Sequence, residues 1–411
     1  MIVQPPGLLF LVAATALAIP SSTAVSWGIP FPFYNTPRPH FFAQQSLHHR
    51  GGAKTDNDNM SMDTNRNLNG DDPNRIVEDF IAFLQQKQTQ IIQQIHDLEA
   101  SFGGSQAALF GQDAWGILAS DPSAIDETDA ADKIGGQTRV MHGGVVVEKG
   151  VCNLAIVRQG ILTAERAAVL QQRKLLSSSS PSFVLQAGDK YSAATLSIVL
   201  HAKHPMVPTL RADVRLFQVQ SSRDASKSVT WLAGGADLTP SVLFEADITY
   251  FHTCYRDLIA QHQEHLPEGF TYADQKQACD EYLYLPARGE HRGTGGIFFD
   301  DLPLTDATLS YVKDLAESWM LSWLPIVQQR QGMEFTEQDR QWQLLRRGRY
   351  LEFHLLCDHG AKYGLSKANP RTEYIMVSAP PLVAYEYKHP VEPGSREDEL
   401  MQVLKKPRDW V

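Results

Sequence analysis

The segment TLRADVRLFQV (residues 209–219) restricts the fold more than any other part of the chain. Leu210, Ala212, Val214 and Leu216 alternate with Arg211, Asp213 and Arg215. Successive side chains of a strand point to opposite sides of its sheet, so the segment reads as a strand with one dry face and one charged face. A helix would scatter the same residues around its circumference. The sheet must therefore bury one side against other elements and carry charge on the other. The ordinary reading of that charge is a solvated outer face. The functional reading is a pair of guanidiniums that grip carboxylates bidentately. His201, Lys203 and His204, just upstream, thicken the positive charge and favour a site for an anionic small molecule.

The neighbouring segments supply the rest of an α+β fold. ATLSIVLHA (194–202) and VTWLA (229–233) read as strands, and VVVEKGVCNLAIVRQG (145–160) as a bent strand or hairpin. Asp72-Pro73 opens a long amphipathic helix in which Ile76, Phe80, Leu84, Ile91, Ile95 and Leu98 recur at helical spacing. Thr239-Pro240 is expected to cap a helix running to about His262. Further helices are expected over 270–284 and 306–329, and from the Thr336/Asp339 capping box to about Arg346. RYLEFHLL (349–356) and YIMVSA (374–379) read as strands, with a short helix and a tail at the carboxyl end. Gly135-Gly136 and Gly143-Gly144 bracket a turn region, and 121–132 and 177–180 are loops. Strands and helices without regular alternation predict a large, mainly antiparallel sheet flanked by helices on both faces.

The first 74 residues stand apart. Leu8 to Ile19 is a short apolar run, too short to span a bilayer, and no Asp or Glu precedes Asp56. Acid-poor, mildly basic sequence after a signal-like run points to an organelle presequence, with a plastid as the destination and a mitochondrion as the alternative. A flexible linker rich in Asn, Asp and Gly follows, so the folded domain is expected over 75–411. A net charge of −10 argues against general nucleic-acid binding. The four cysteines show no CxxC spacing and read as separate reduced thiols, which suits a reducing compartment better than secretion.

Several short patterns bear on chemistry. LAGGADLTP (232–240) reads as a tight strand-to-helix turn holding Asp237, which can serve as a base or as an anion beside a helix dipole. His252 lies mid-helix without a second histidine at ligand spacing, so no metal site is predicted. Arg346, Arg347 and Arg349 can clamp carboxylates or bridge two subunits. YLPARGEHRGTGGIFFDD (284–301) lacks the P-loop pattern, and its glycines precede a strand, so it reads as a glycine-rich turn beside a pocket. Arg288, Glu290 and Arg292 are expected to form a structural ion-pair frame there.

The ordered set GGVVVEKGV, LSIVLHAKHPMVPTLRADVRLF, GGADLTP, CDEYLYLPARGEHRGTGGIFFDDL, WQLLRRGRYLEFHLL, YGLSKANPRTE and PRDWV resembles the oxygen-dependent coproporphyrinogen III oxidase family. The resemblance spans about residue 75 to 411. It implies a homodimer that converts two propionates of a tetrapyrrole, coproporphyrinogen III, to vinyls, consuming O2 and releasing CO2 without an organic cofactor. It places Ser197, Asp213, Arg215, Asn369, Pro370 and Arg371 at the substrate, with Asp237, Arg215 and Arg211 at the chemistry. His201 and His252 match recurring family histidines. The family's proton-donor histidine falls at Arg211, the asparagine two residues later at Asp213, and its Gly-Ser pair at Asn369-Pro370. The histidine before arginine falls at Ala287, and the tryptophan before cysteine at Ala278. A second reading is a relative that binds or senses tetrapyrroles without turning them over.

Overall fold

The computed structural model describes residues 73–104, 110–119, 133–171, 184–365 and 372–411. Its strands are β1 (Gly111–Gly116), β2 (Ile134–His142), β3 (Val147–Ile161), β4 (Lys190–Ala202), β5 (Thr209–Gln220), β6 (Ser228–Thr239), β7 (Tyr284–Leu285), β8 (Glu290–His291) and β9 (Gly295–Pro303). The helices are α1 (Pro73–Ser101), α2 (Ala164–Gln171), α3 (Glu245–His262), α4 (Tyr272–Leu283), α5 (Asp306–Arg330), α6 (Glu337–Leu356), α7 (His359–Leu365), α8 (Thr372–Met376) and α9 (Arg396–Lys405).

Seven strands form one sheet in the order β1-β2-β3-β4-β5-β6-β9, with every neighbouring pair antiparallel. The alternation in β5 sets its dry face. Leu210, Val214 and Leu216 are fully buried, joined by Leu196 and Ile198 of β4 and Leu232 of β6. The apolar stripe of α1 (Phe80, Leu84, Ile91, Ile95) and the Trp319 and Trp323 side of α5 close this face. Burying each such side chain stabilises the fold by roughly 1.5–3 kcal/mol. Helices also cover part of the second face. Tyr350 of α6 packs on Val151 and Val199, and α4 lies against β9 through Cys279, Leu283 and Tyr282. The α+β architecture expected from the sequence is the one observed.

Several local expectations are corrected. Residues 349–356 continue α6 as helix. Gly348 lies inside this helix where the carbonyl oxygen of Ala384 comes close, and a Cβ would lie 2.6 Å from that oxygen. Residues 374–376 end the short helix α8, and no strand follows. Thr239-Pro240 caps no helix; β6 runs through Thr239, and α3 starts at Glu245. Gly234, Gly235 and Asp237 therefore lie inside a strand that pairs on both edges. Gly135 and Gly136 likewise sit within β2. The 145–160 segment is one long strand with register shifts at Val147/Lys149 and Val157/Gly160. The Thr336/Asp339 capping box forms as expected. The presequence and the loops at 121–132 and 177–180 lie outside the described residues.

Candidate active site

Strand register decides which side chains meet on the second face. Ser197 of β4 is the Cα partner of Asp213, and Asp213 is the partner of Gly235 of β6. In the next row Arg211 pairs with Asp237, and Asp237 with Gly296 of β9. The row on the other side carries Thr195, Arg215 and Ala233. Ser197, Arg211, Asp213, Arg215 and Asp237 thus share one face of three adjacent strands. Arg211, Asp213 and Asp237 line a narrow crevice, barely wide enough for a water molecule, with Cys279, Tyr282 and Phe298. A wider surface groove by Leu243, Glu245, Gln402 and Arg408 lies apart from these groups.

The charges of the crevice are mostly paired with one another. Arg211 Nη2 donates to Asp358 Oδ2 at 3.2 Å, and its Nη1 lies 3.7 Å from Asp237 Oδ2. Arg215 Nε donates to Asp213 Oδ2 at 2.9 Å. Arg292 donates to the other oxygen of Asp237. Its guanidinium sits between the rings of Tyr350 and Phe353, 4.7 and 4.8 Å from their centroids. Three guanidiniums face three carboxylates. Burial alone would lower the Arg211 pKa, but Tyr282, Asp358, Asp213 and Asp237 outweigh it and raise the pKa well above its ordinary value. Asp213 outweighs burial at Arg215 and raises its pKa. Burial pushes the Asp358 carboxyl upward, yet Arg211 and the Ala361 N–H more than offset it, leaving the pKa lowered. Arg211 is therefore a fixed cation and no proton donor near neutrality.

The two histidines do not enter the crevice. His201 is buried with Nε2 at 2.9 Å from the Ser378 carbonyl oxygen. His252 is buried between the Tyr272 hydroxyl, 2.7 Å away, and the Thr294 carbonyl oxygen, 3.2 Å away. Burial, with Arg347 beside one and Lys276 beside the other, holds both near a pKa of about 3. Both are neutral positioning groups at pH 7. Among the described residues no group of three or more His, Cys, Asp or Glu side chains is placed to hold a metal ion. Asn369, Pro370 and Arg371 lie outside the described residues.

Three site residues escaped the sequence reading. Asp358 anchors Arg211 and accepts from the Tyr282 hydroxyl at 3.0 Å. Tyr282 stacks on Phe298, with ring centroids 4.8 Å apart. Neither carries a local pattern; Tyr282 comes from the end of α4, and Asp358 from the link between α6 and α7. Arg292 was expected in the structural frame. Arg288 and Glu290 are there, bound to Glu352 and Arg346, but Arg292 reaches Asp237 instead. The cluster Arg346, Arg347 and Arg349 is spent on Glu290, Glu148 and Glu352 of the same chain. The four cysteines are free, as expected.

The assembled face joins a short-side-chain floor to a rim of arginines and aspartates, a fit for a flat polycarboxylate. Residues 79–410 match the family described as coproporphyrinogen III oxidase. The chain is 35% identical over 336 residues to the oxygen-dependent coproporphyrinogen-III oxidase of Francisella tularensis subsp. holarctica (strain LVS), covering 81% of this chain and 97% of that protein. It is 34% identical, over the same shares, to the protein of that name from Francisella philomiragia subsp. philomiragia. With both the fold and this match in place, the chain belongs to the coproporphyrinogen III oxidase family.

Proposed function

We propose that the chain is an oxygen-dependent coproporphyrinogen-III oxidase that turns two propionates of its substrate into vinyls, in haem or chlorophyll synthesis. One juxtaposition carries the reading: Arg211, Asp213 and Asp237 line one crevice on the face that also bears Ser197 and Arg215. A tetracarboxylate macrocycle lies flat on the small residues of that face. Asp237 accepts a pyrrole N–H, Ser197 and Asp213 orient the ring, and Arg215 holds a carboxylate with Arg211 and Arg371. For each propionate the carboxylate carbon leaves as CO2, the carbon beside the ring loses a hydrogen as the double bond forms, and two electrons pass to O2, the co-substrate. The four electrons of the two steps, with four protons, reduce one O2 to two water molecules. No organic cofactor takes part. The protein works as a homodimer in a plastid, reached through the presequence of residues 1–74.

Arg211 favours a second reading. A guanidinium tied to Asp358 donates no proton, so a chain that binds tetrapyrroles without converting them accounts for the same site. Aerobic incubation of the purified protein with a panel of porphyrinogens separates the two. The oxidase reading expects CO2 release and a divinyl product from coproporphyrinogen III. Binding by fluorescence quenching with no CO2 supports the second reading, and neither binding nor turnover removes both.

A further inference from the structure

Resting on that reading, we propose that Asn153 of β3 binds a carboxylate of the tetrapyrrole and is aimed for that task by a relay from Trp115 through Thr138. Asn153 is the Cα partner of Ser197, so it shares the face and the row that lead to Asp213. Two strand spacings, roughly 10 Å, separate it from Asp213, a distance that a tetrapyrrole with its carboxylate arms bridges.

The relay fixes which end of the amide faces outward. Trp115 Nε1 donates to Thr138 Oγ1 at 3.1 Å. An indole nitrogen only donates, so the Thr138 hydroxyl accepts there and keeps its single proton for Asn153 Oδ1, 2.7 Å away. Asn153 must therefore present oxygen to the relay and its NH2 elsewhere. Among the described residues that NH2 has no protein partner, and Asn153 is only half-buried.

The relay itself is firmly seated. Thr138 is 4% exposed. The Trp115 indole lies down over Gly136, where a Cβ would sit 2.6 Å from the ring. Tyr374 packs on that indole with centroids 4.6 Å apart, and its hydroxyl donates to Asp113 at 2.9 Å. A solvated strand face does not require an amide held this way. A pair of N–H donors beside Ser197 suits a carboxylate, and it adds neutral donors where the arginines of the crevice are already paired.

The test titrates coproporphyrin III, the non-reacting oxidised ring, and its tetramethyl ester against the full-length protein and its variants by fluorescence quenching. Asn153→Ala is expected to weaken binding of the acid about tenfold, and Asn153→Asp further, with the ester unaffected. Thr138→Val, which releases the relay, should weaken the acid several-fold, and Thr138→Ser should restore it. Unchanged affinity of Asn153→Ala and Asn153→Asp for the acid, in a background where the parent binds, overturns the inference and leaves the proposed function standing. Equal losses for acid and ester also overturn it, since they report damage to the face. A parent that binds neither ring overturns this inference, and one that also fails to turn over coproporphyrinogen III overturns the proposed function with it.

Discussion

Replacing Asp237 by alanine is expected to lower stability by about 3–5 kcal/mol and to abolish turnover. The carboxylate faces Arg292, whose side chain is 1% exposed, and removing it leaves that guanidinium buried without its counter-charge. The same carboxylate is the group assigned to the pyrrole proton, a role whose loss typically costs 10²–10⁴ in rate. The two effects are separable. Asp237→Ala/Arg292→Met puts an apolar side chain between Tyr350 and Phe353 and should recover most of the lost stability, because a well-packed apolar replacement of a buried ion pair is often neutral. Turnover should stay at least about 100-fold down. Denaturant unfolding and aerobic assays of both variants check this. A double variant with parental turnover would take the chemistry away from Asp237. A single variant losing under about 1 kcal/mol would contradict the buried pair.

Gly296→Ala should be the most damaging added methyl among the described glycines. Gly296 is the Cα partner of Asp237, and a Cβ there would run into the Ala236 carbonyl oxygen of the adjacent strand. The obstacle is backbone, so relief requires β6 and β9 to part where Asp237 is held. The expected cost is about 3 kcal/mol or more, the upper end of overpacking, with a melting temperature lower by several degrees. Gly332→Ala, with nothing within 4 Å of the added carbon, is the matched control and should be near neutral. Comparable melting temperatures for the two variants would mean that the close approach of β6 and β9 is not what the glycine serves.

The opposite fates of two arginine-containing stretches show what the sequence can convey. In 209–219 the alternation was complete, and it correctly assigned Arg211, Asp213 and Arg215 to one face and the core to the other. In 342–354 the buried side of α6 mixes Trp342, Leu345 and Phe353 with Gln343, Arg346, Arg347 and His354. Helical spacing is present, but buried arginines interrupt its apolar stripe, and Gly348 reads as a breaker. Only the Ala384 segment, dozens of residues away, explains that glycine. LAGGADLTP misled for a related reason. Its glycines look like a turn, whereas Gly235 lies where the Ile297 carbonyl oxygen crowds the strand from β9. Close backbone approach and turning both call for glycine, and a single chain does not distinguish them.

The site was legible in the same uneven way. Strand periodicity delivered the cations and Asp213, and the family resemblance delivered Asp237 and Ser197. Asp358 and Tyr282 were invisible, because their partnership with Arg211 is made only when the ends of α4 and α6 meet over β5. That partnership changes what Arg211 means. A guanidinium held by Asp358 on one side and Asp237 on the other is a fixed electrostatic element and no proton donor near neutrality.

The macrocycle is expected on the second face of the sheet. A crystal structure of the full-length protein with coproporphyrin III tests this most directly. The ring is expected over β3 to β6, with a pyrrole nitrogen within hydrogen-bond distance of Asp237 and carboxylates at Arg215 and Asn153. A ring bound in the groove beside Glu245 and Arg408, or anywhere away from Asp237, would contradict it.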